Sequence, residues 1–273
     1  MADRPIITLT TDFGLSDHFV GAVKGVILKI VPEAKLVDIS HAVTPFDLLE
    51  GALTIASAYS YFPEGTVHLV VVDPGVGTAR RPVIARAGQF HFVAPDNGVL
   101  SLIYDREERT HVYEATAEHY FLQPVSQTFH ARDVFAPLTA YLAKGVAAAK
   151  FGDEISDYVR LQVPRPEVLN ETTVCGSVIK VDHFGNLITN LTPELVPALF
   201  QAEPRFTISI GNREIKTLRS AYGSGASGEL FAILGSMGYL EIAANQASAS
   251  QIAGAGRGAE VRVVLEVAGS LPS

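Results

Sequence analysis

The stretch GTVHLVVVD (Gly65 to Asp73) narrows most what this chain can become. A continuous apolar strand has no polar face to offer water, so both of its sides must be covered. That arrangement is characteristic of parallel strands joined by helices. The flanking sequence supplies such partners. PIITLTT (Pro5 to Thr11) is a β-branched strand pattern that stops at the acidic turn DFGLSD, and HFVGAVKGVILKIVP then runs with helical period. KLVDIS repeats the strand pattern, and PFDLLEGALTIASAYSYF reads as a helix with Pro45 in its first turn. After QFHFVAPDNGVLSLIY, the segment DVFAPLTAYLAKG predicts a helix that ends on Gly145. The expected fold of residues 1–151 is an α/β domain whose mainly parallel sheet is covered by helices.

Beyond Gly152 the pattern changes. VPRPEVLNETT holds two prolines and no sustained period, so residues 152–173 are expected to form a linker. VCGSVIKVDHFGNLITNL, RFTISIGNREIKTL, GELFAILGSMGYLEIAANQ and AEVRVVLEV are short alternating strands broken by Gly, Asn and Ser. They predict a smaller all-β, barrel-like domain over residues 174–273. AYGSGASGE (Ala221 to Glu229) reads as a mobile surface loop.

With 48% apolar and 18% charged residues in 273, the chain has the composition of a folded globular protein. The net charge of −8 opposes counterion-driven binding, so neither nucleic acid nor an anionic membrane is an expected partner. Cys175 is the only cysteine, which excludes an intrachain disulfide and a thiolate cluster, and no His-x-x-x-His spacing appears. No metal is therefore expected. No apolar run approaches the ~20 residues of a membrane span, and MADRPIITLTTDFG does not read as a leader, so a cytoplasmic protein is expected.

In parallel α/β sheets ligands bind beyond the C-terminal strand ends, which singles out Asp12, Asp73, and Asp96 with Asn97 in APDNG. Each alone reads equally well as a helix cap, and it is their coincidence on one edge that points to a site. Asp73 and Arg80 flank PGVGTA, a glycine turn able to bring guanidinium back to carboxylate. Arg80 would then present its remaining N–H groups to an anion or a polarised water, with a plain salt bridge as the competing reading. GVGTARR lacks the Gly-Lys-Ser/Thr ending of a phosphate loop. His130, beside Arg132 and Asp133 in QTFHARDVFAP, is the side chain suited to orienting or exchanging a proton. In VDHFGNLITN a bend gathers Asp182, Phe184 and Asn186: a carboxylate for an ammonium, an aromatic face for a base, an amide for a heterocycle edge. A Gly-Asn hairpin turn is the alternative there. GSMGYLEIAANQ adds Ser236 and backbone N–H groups suited to a carboxylate.

Seven motifs in order, TTDFGLSDHFVGAVKG, DISHAVTPFDLLEGA, FPEGTVHLVVVDPGVGTARRPV, APDNGVLS, TFHARDVFAP, VDHFGNLITN and GSMGYLEIAANQ, resemble the S-adenosyl-L-methionine (SAM) hydroxide adenosyltransferases, or SAM hydrolases, relatives of the fluorinases and chlorinases. The resemblance implies an α/β domain linked to a β-barrel domain, and homotrimers whose active sites lie between subunits. It also implies hydrolysis of SAM to adenosine and L-methionine by attack of activated water at the ribose 5′ carbon, with SAM as substrate and no cofactor. By motif it assigns catalysis to Asp73, Arg80 and His130, with Arg81 one place off the family spacing. Asp12 would hold the ribose hydroxyls, Phe46 would lie near the reacting carbon, and Phe129 and Phe184 would pack on sugar and base. Asn97 joins them from APDNG, Asp182 meets the ammonium, Asn186 the adenine edge, and Ser236 the methionine carboxylate. Met237 stands where halogenases carry an arginine that grips that carboxylate. Ala131 replaces a halide-contacting serine, and Asp73 a non-acidic residue of the fluorinase; a carboxylate there repels halide. The competing expectations are a SAM-dependent halogenase and a non-catalytic SAM- or adenosine-binding protein.

Overall fold

In the computed structural model, which describes residues 4–201 and 205–266, the chain separates into two units, Met1–Gln162 and Val163–Ser273. The first is built on a seven-stranded sheet of β1 (Ile6–Thr11), β2 (Lys35–Ser40), β3 (Val67–Val71), β4 (Pro82–Ala87), β5 (Phe90–Pro95), β6 (Thr110–Glu114) and β7 (Glu154–Ile155), in the order β2-β1-β3-β5-β4-β6-β7. Strands β2, β1, β3 and β5 run parallel. The pairings of β4 with β5 and β6, and of β6 with β7, are antiparallel.

The sheet is thus mixed, which corrects the expectation of a mainly parallel one. Its cause is local: Ala87 pairs with Phe90 across a two-residue turn in which Gly88 has φ 55°. Such a short connection can join only antiparallel neighbours.

Helices α1 (Phe19–Ile30), α2 (Leu48–Ala56), α3 (Ser101–Arg106) and α4 (Ala136–Ala143) cover the sheet. β3 shows why they must. Val67, Leu69 and Val71 enter one core cluster with Val23, Ile27 and Leu138, while Val70 and Val72 enter another with Ile55, Phe92 and Leu100. Alternate side chains of one apolar strand therefore fill two cores. Pro45 lies before α2 and not in its first turn, because the cap is Asp47, whose carboxylate accepts the Glu50 N–H at 2.9 Å. A single π-helical turn, Ala131–Phe135, leads into α4.

Within residues 152–173, β7 extends the first sheet and β8 (Glu167–Asn170) pairs with β9 (Thr173–Val181) of the second unit. Residues 157–161 are strapped to the first unit. Arg81 donates to Asp157 at 2.9 Å, Val159 N donates to Asp96 Oδ1 at 2.8 Å, and Leu161 N donates to Ser101 Oγ at 2.7 Å.

The second unit continues with β10 (Leu187–Thr189), β11 (Phe206–Ile210), β12 (Arg213–Ile215), β13 (Leu218–Arg219), β14 (Leu230–Leu234), β15 (Leu240–Ala244), the short helix α5 (Ala249–Ala253) and β16 (Glu260–Leu265). The strands form one curled, half-barrel path, β12-β11-β16-β9-β10-β15-β14-β13, with β8 beside β9. The two end strands, β12 and β13, are not paired with each other among the described residues. Val174, Leu187, Ile208, Ile242 and Val263 fill its core.

The Gly/Ser stretch expected to be mobile is tied down instead. Asn245 Nδ2 donates to Gly225 O at 2.7 Å, and Ala226 N donates to Glu229 Oε2 at 2.8 Å.

Asp96 anchors the strap. Its side chain is 3% exposed and accepts two hydrogen bonds from Arg81, of 3.0 and 2.6 Å, besides the Val159 amide. Replacing it strands a guanidinium and an amide together. Asp96→Ala is expected to lower the unfolding free energy by about 2–4 kcal/mol in urea titrations, and a loss below about 0.5 kcal/mol, the ordinary surface value, would contradict this role.

Candidate active site

β1 and β3 lie side by side, with Thr11 opposite Val71, so Asp12 and Asp73 leave the sheet from the same edge. The turn after Asp73 folds back as its glycines allow. Gly77 has φ 79°, and a Cβ there would sit 2.5 Å from the Gln127 carbonyl, so only glycine lets the turn lie against the segment that leads to His130. Thr78 Oγ1 donates to Gly75 O at 2.7 Å and closes the turn.

Arg80 then meets Asp73 in a fork. Nε donates to both carboxylate oxygens at 3.0 and 2.9 Å, and Nη2 donates to Oδ2 at 2.6 Å. The two side chains are 9% and 6% exposed, and the Phe135 ring lies 5.1 Å from the guanidinium carbon. Nη1 makes no hydrogen bond among the described residues. Arg81, its neighbour, turns away to Asp96 and Asp157.

His130 completes the group, its Nδ1 2.8 Å from Arg80 Nη2. A guanidinium can only donate, so Nδ1 accepts and the proton of the neutral ring lies on Nε2. That Nε2 is buried and without a partner among the described residues. Burial first, and the Arg80 charge second, push the His130 pKa below its ordinary value, with Asp73 and Asp133 opposing them. Both ring nitrogens are thereby committed: the neutral ring buttresses Arg80 and offers a donor, with no free basic lone pair. Asp133, fully buried, fixes the loop beneath by accepting from Arg132 and from Ser126 N.

Asp12 is held differently. Its Oδ2 accepts the Phe46 N–H at 2.9 Å, and Phe46, with φ 69°, projects a ring that is 70% exposed. Burial raises the Asp12 pKa, the Phe46 bond opposes that, and Asp73 adds a like-charge contribution. Phe129 stacks edge-on against Phe13 and Phe19, and with Asp73, Val76 and His130 these line a cavity of about 140 Å³. That volume suits a few waters and falls below the range of roughly 300–1,000 Å³ typical of whole-ligand pockets. Asn97 turns inward, donating to Val72 O at 2.9 Å and accepting from Val99 N at 3.1 Å, which ties the ends of β3 and β5 together.

In the second unit, Asp182 organises the bend that the sequence left open between hairpin and site. Its Oδ1 accepts from Phe184 N and Asn186 N at 2.9 and 2.8 Å, and its Oδ2 accepts from Asn186 Nδ2 at 2.8 Å. The three residues line one pocket of about 570 Å³ with Tyr222, Gln246 and Ser248. Ser236 is exposed and Met237 partly so, in the turn between β14 and β15, and neither lines that pocket.

Two residues here escaped the sequence reading. Tyr222 donates to Glu241 Oε2 at 2.8 Å. Glu241 is only 4% exposed; burial raises its pKa, the Tyr222 bond opposes, and Asp182 adds to the rise. Glu241 was legible only as a charged residue inside the apolar run YLEIAA. Among the described residues, no three His, Cys, Asp or Glu side chains cluster so as to hold a metal, and no helix is long and apolar enough to cross a membrane.

The His130 geometry has a measurable consequence. A depressed folded-state pKa means the unfolded chain protonates first as pH falls, so this group's contribution to stability is full above about pH 6.5 and declines below it. In nitrogen-15 NMR, His130 is expected to hold the Nε2–H tautomer at pH 7.5 and to titrate below 6.5. A midpoint at or above 6.5, or an Nδ1–H ring, would contradict the assignment.

Residues 7–152 match the model of the SAM hydroxide adenosyltransferase N-terminal domain, and residues 176–262 that of the C-terminal domain. The chain is 39% identical to an (R)-S-adenosyl-L-methionine hydrolase of Salinispora tropica, over 96% of this chain and 99% of that one. A fluorinase of Nocardia brasiliensis is 30% identical over 90% and 92% of the two chains. An uncharacterized conserved protein from Thermotoga maritima, known by its crystal structure, superposes with a TM-score of 0.88 at 37% identity, over 94% of this chain and 99% of that one. Two domain matches in order, relatives aligned end to end and a shared fold agree: the chain belongs to the SAM hydroxide adenosyltransferase family.

Proposed function

We propose that this protein hydrolyses SAM to adenosine and L-methionine, and that Asp73, Arg80 and His130 carry the reaction. The observation that supports this most is the buried fork of Arg80 on Asp73, which leaves Nη1 without a partner among the described residues, while Asp73 and His130 both line the small cavity at the sheet edge. Water gives up a proton to solvent and attacks the ribose 5′ carbon as hydroxide; the C–O bond forms as the C5′–S bond breaks, and the electron pair of that bond stays on the methionine sulfur, so the sulfonium charge is lost. The leaving group is already activated, so the protein's task is to hold a water in line with the breaking bond and to stabilise the charge that builds on its oxygen. Arg80 supplies the opposing positive charge that favours hydroxide, Asp73 fixes its direction, and His130 buttresses it. The methyl of Ala131 and the carboxylate of Asp73, which both line the cavity, offer nothing to halide and favour water over it.

The ribose hydroxyls are assigned to Asp12, and the base and amino-acid ends of SAM to Phe184, Asn186, Asp182 and Ser236. The name of the Salinispora relative specifies (R) beside L-methionine. Since L already fixes the α-carbon, the descriptor designates sulfur, and the R sulfonium is the form proposed as substrate here. The working assembly is proposed to be a cytoplasmic homotrimer in which neighbouring copies complete one another's sites.

Asp73→Ala and Arg80→Ala are expected to lower kcat by about 10²–10³-fold, as for loss of a charge-stabilising donor, while the SAM dissociation constant changes less than about threefold. Equal losses in binding and turnover would make them substrate-holding residues. In oxygen-18 water the adenosine is expected to carry the label at its 5′ oxygen; intact SAM after long incubation, or 5′-chloro-5′-deoxyadenosine at high chloride, would overturn the hydrolase reading. Mixing inactive Asp73→Ala with inactive Asp182→Ala protein should restore part of the activity by exchange of subunits, and no recovery despite exchange would exclude shared sites.

A further inference from the structure

His41 belongs to none of the assignments above, yet it is 5% exposed at the same sheet edge and is bonded to the chain on both sides of Asp12. Its Nδ1 lies 2.8 Å from Thr11 Oγ1, the residue before Asp12. Its Nε2 lies 3.0 Å from Oδ1 of Asp38 in strand β2. Its carbonyl accepts the Gly14 N–H at 2.8 Å, just after Asp12. The far oxygen of Asp38 takes Lys24 Nζ of α1 at 2.7 Å. Burial would raise the Asp38 pKa, but the Lys24 bond and the neighbouring His41 outweigh that and hold it below the usual value, so an anionic carboxylate faces His41 Nε2 at 3.0 Å; the angle there is too poor for a hydrogen bond, and it is the field of the carboxylate that favours the ring proton on that nitrogen. Nδ1 is then an acceptor, Thr11 donates to it, and the Thr11 oxygen is free to accept Phe13 N at 3.3 Å.

The loop that begins at His41 returns five residues later to Asp12 itself, through the Phe46 N–H. Thr11 before Asp12 is thus held by the His41 imidazole, Gly14 after it by the His41 backbone carbonyl, and the loop that follows His41 brings the donor to the Asp12 carboxylate, while the parallel register of β1 on β2 breaks between Leu9 and Thr10 where this network begins. We infer that His41, set by Asp38 and Lys24, is a positioning residue that holds Asp12 and Phe46 in their binding geometry for the ribose. This rests on the proposed role of Asp12 and adds a residue that acts through it.

The test is a double-mutant cycle on purified, folded protein, reading kcat and KM for SAM and the dissociation constant of adenosine. His41→Ala is expected to raise KM and the adenosine constant about tenfold with kcat within about threefold. His41→Asn, which keeps an acceptor for Thr11, is expected to recover most of that loss. His41→Ala added to Asp12→Ala should cost less than about twofold more, because both act through one carboxylate. If His41→Ala fails to fold, Asp38→Asn, at a side chain 40% exposed, carries the test with a KM increase of about threefold. A folded His41→Ala or Asp38→Asn enzyme with wild-type KM, or full additivity with Asp12→Ala, would overturn the inference while leaving the hydrolase reading intact. Wild-type protein that neither turns over SAM nor binds adenosine would overturn both.

Discussion

The pairing of one carboxylate with one guanidinium at the open end of β3 is the constraint on which the site depends. A buried pair of this kind costs desolvation, and its Coulombic gain repays that only when the geometry is good and the other donors are used. Here the geometry is a fork with bonds of 2.6 to 3.0 Å, and a neutral imidazole takes a second hydrogen bond from Nη2. The arrangement engages two of the guanidinium's three nitrogens and leaves the third without a partner among the described residues. Rigidity is what the chemistry requires, because a sulfonium leaving group needs little further activation and the remaining barrier lies largely in placing and polarising water.

Everything around the pair serves that placement. Val67 to Val72 fill two cores at once, so the strand that delivers Asp73 has no freedom to shift. Gly77 lets the turn lie against Gln127, and the π-helical turn begins one residue after His130. Arg81, Asp96 and the strap at residues 157–161 lock the neighbouring strand ends without entering the site. Adjacent arginines thus do different work, one in the site and one holding chain to chain.

Much of this could be read from the sequence because it is local. The two-sided strand, the glycine turn between Asp73 and Arg80, and the change of pattern after Gly152 are properties of short windows. What could not be read depended on distant partners. The β4–β5 hairpin that makes the sheet mixed is signalled only by Ala-Gly-Gln between two ordinary apolar runs. Tyr222 sits in a stretch that looks flexible until Glu241, nineteen residues on, supplies an acceptor for its hydroxyl. His41 lies in a motif that carries the family resemblance, but its contacts with Thr11 and Asp38 appear only once β1 and β2 are side by side. Asn97, chosen from its strand-end position, bonds backbone groups at Val72 and Val99 that only the folded strand ends bring to it.

The oxygen delivered by water becomes the 5′-hydroxyl of adenosine, so the product preserves the position from which it attacks. A crystal structure of the wild-type protein with adenosine and methionine therefore tests it directly. The 5′ oxygen is expected to lie within about 3.2 Å of an Arg80 nitrogen, on the far side of C5′ from the methionine sulfur. A 5′ oxygen in another pocket, with Arg80 beyond hydrogen-bonding reach, would contradict it.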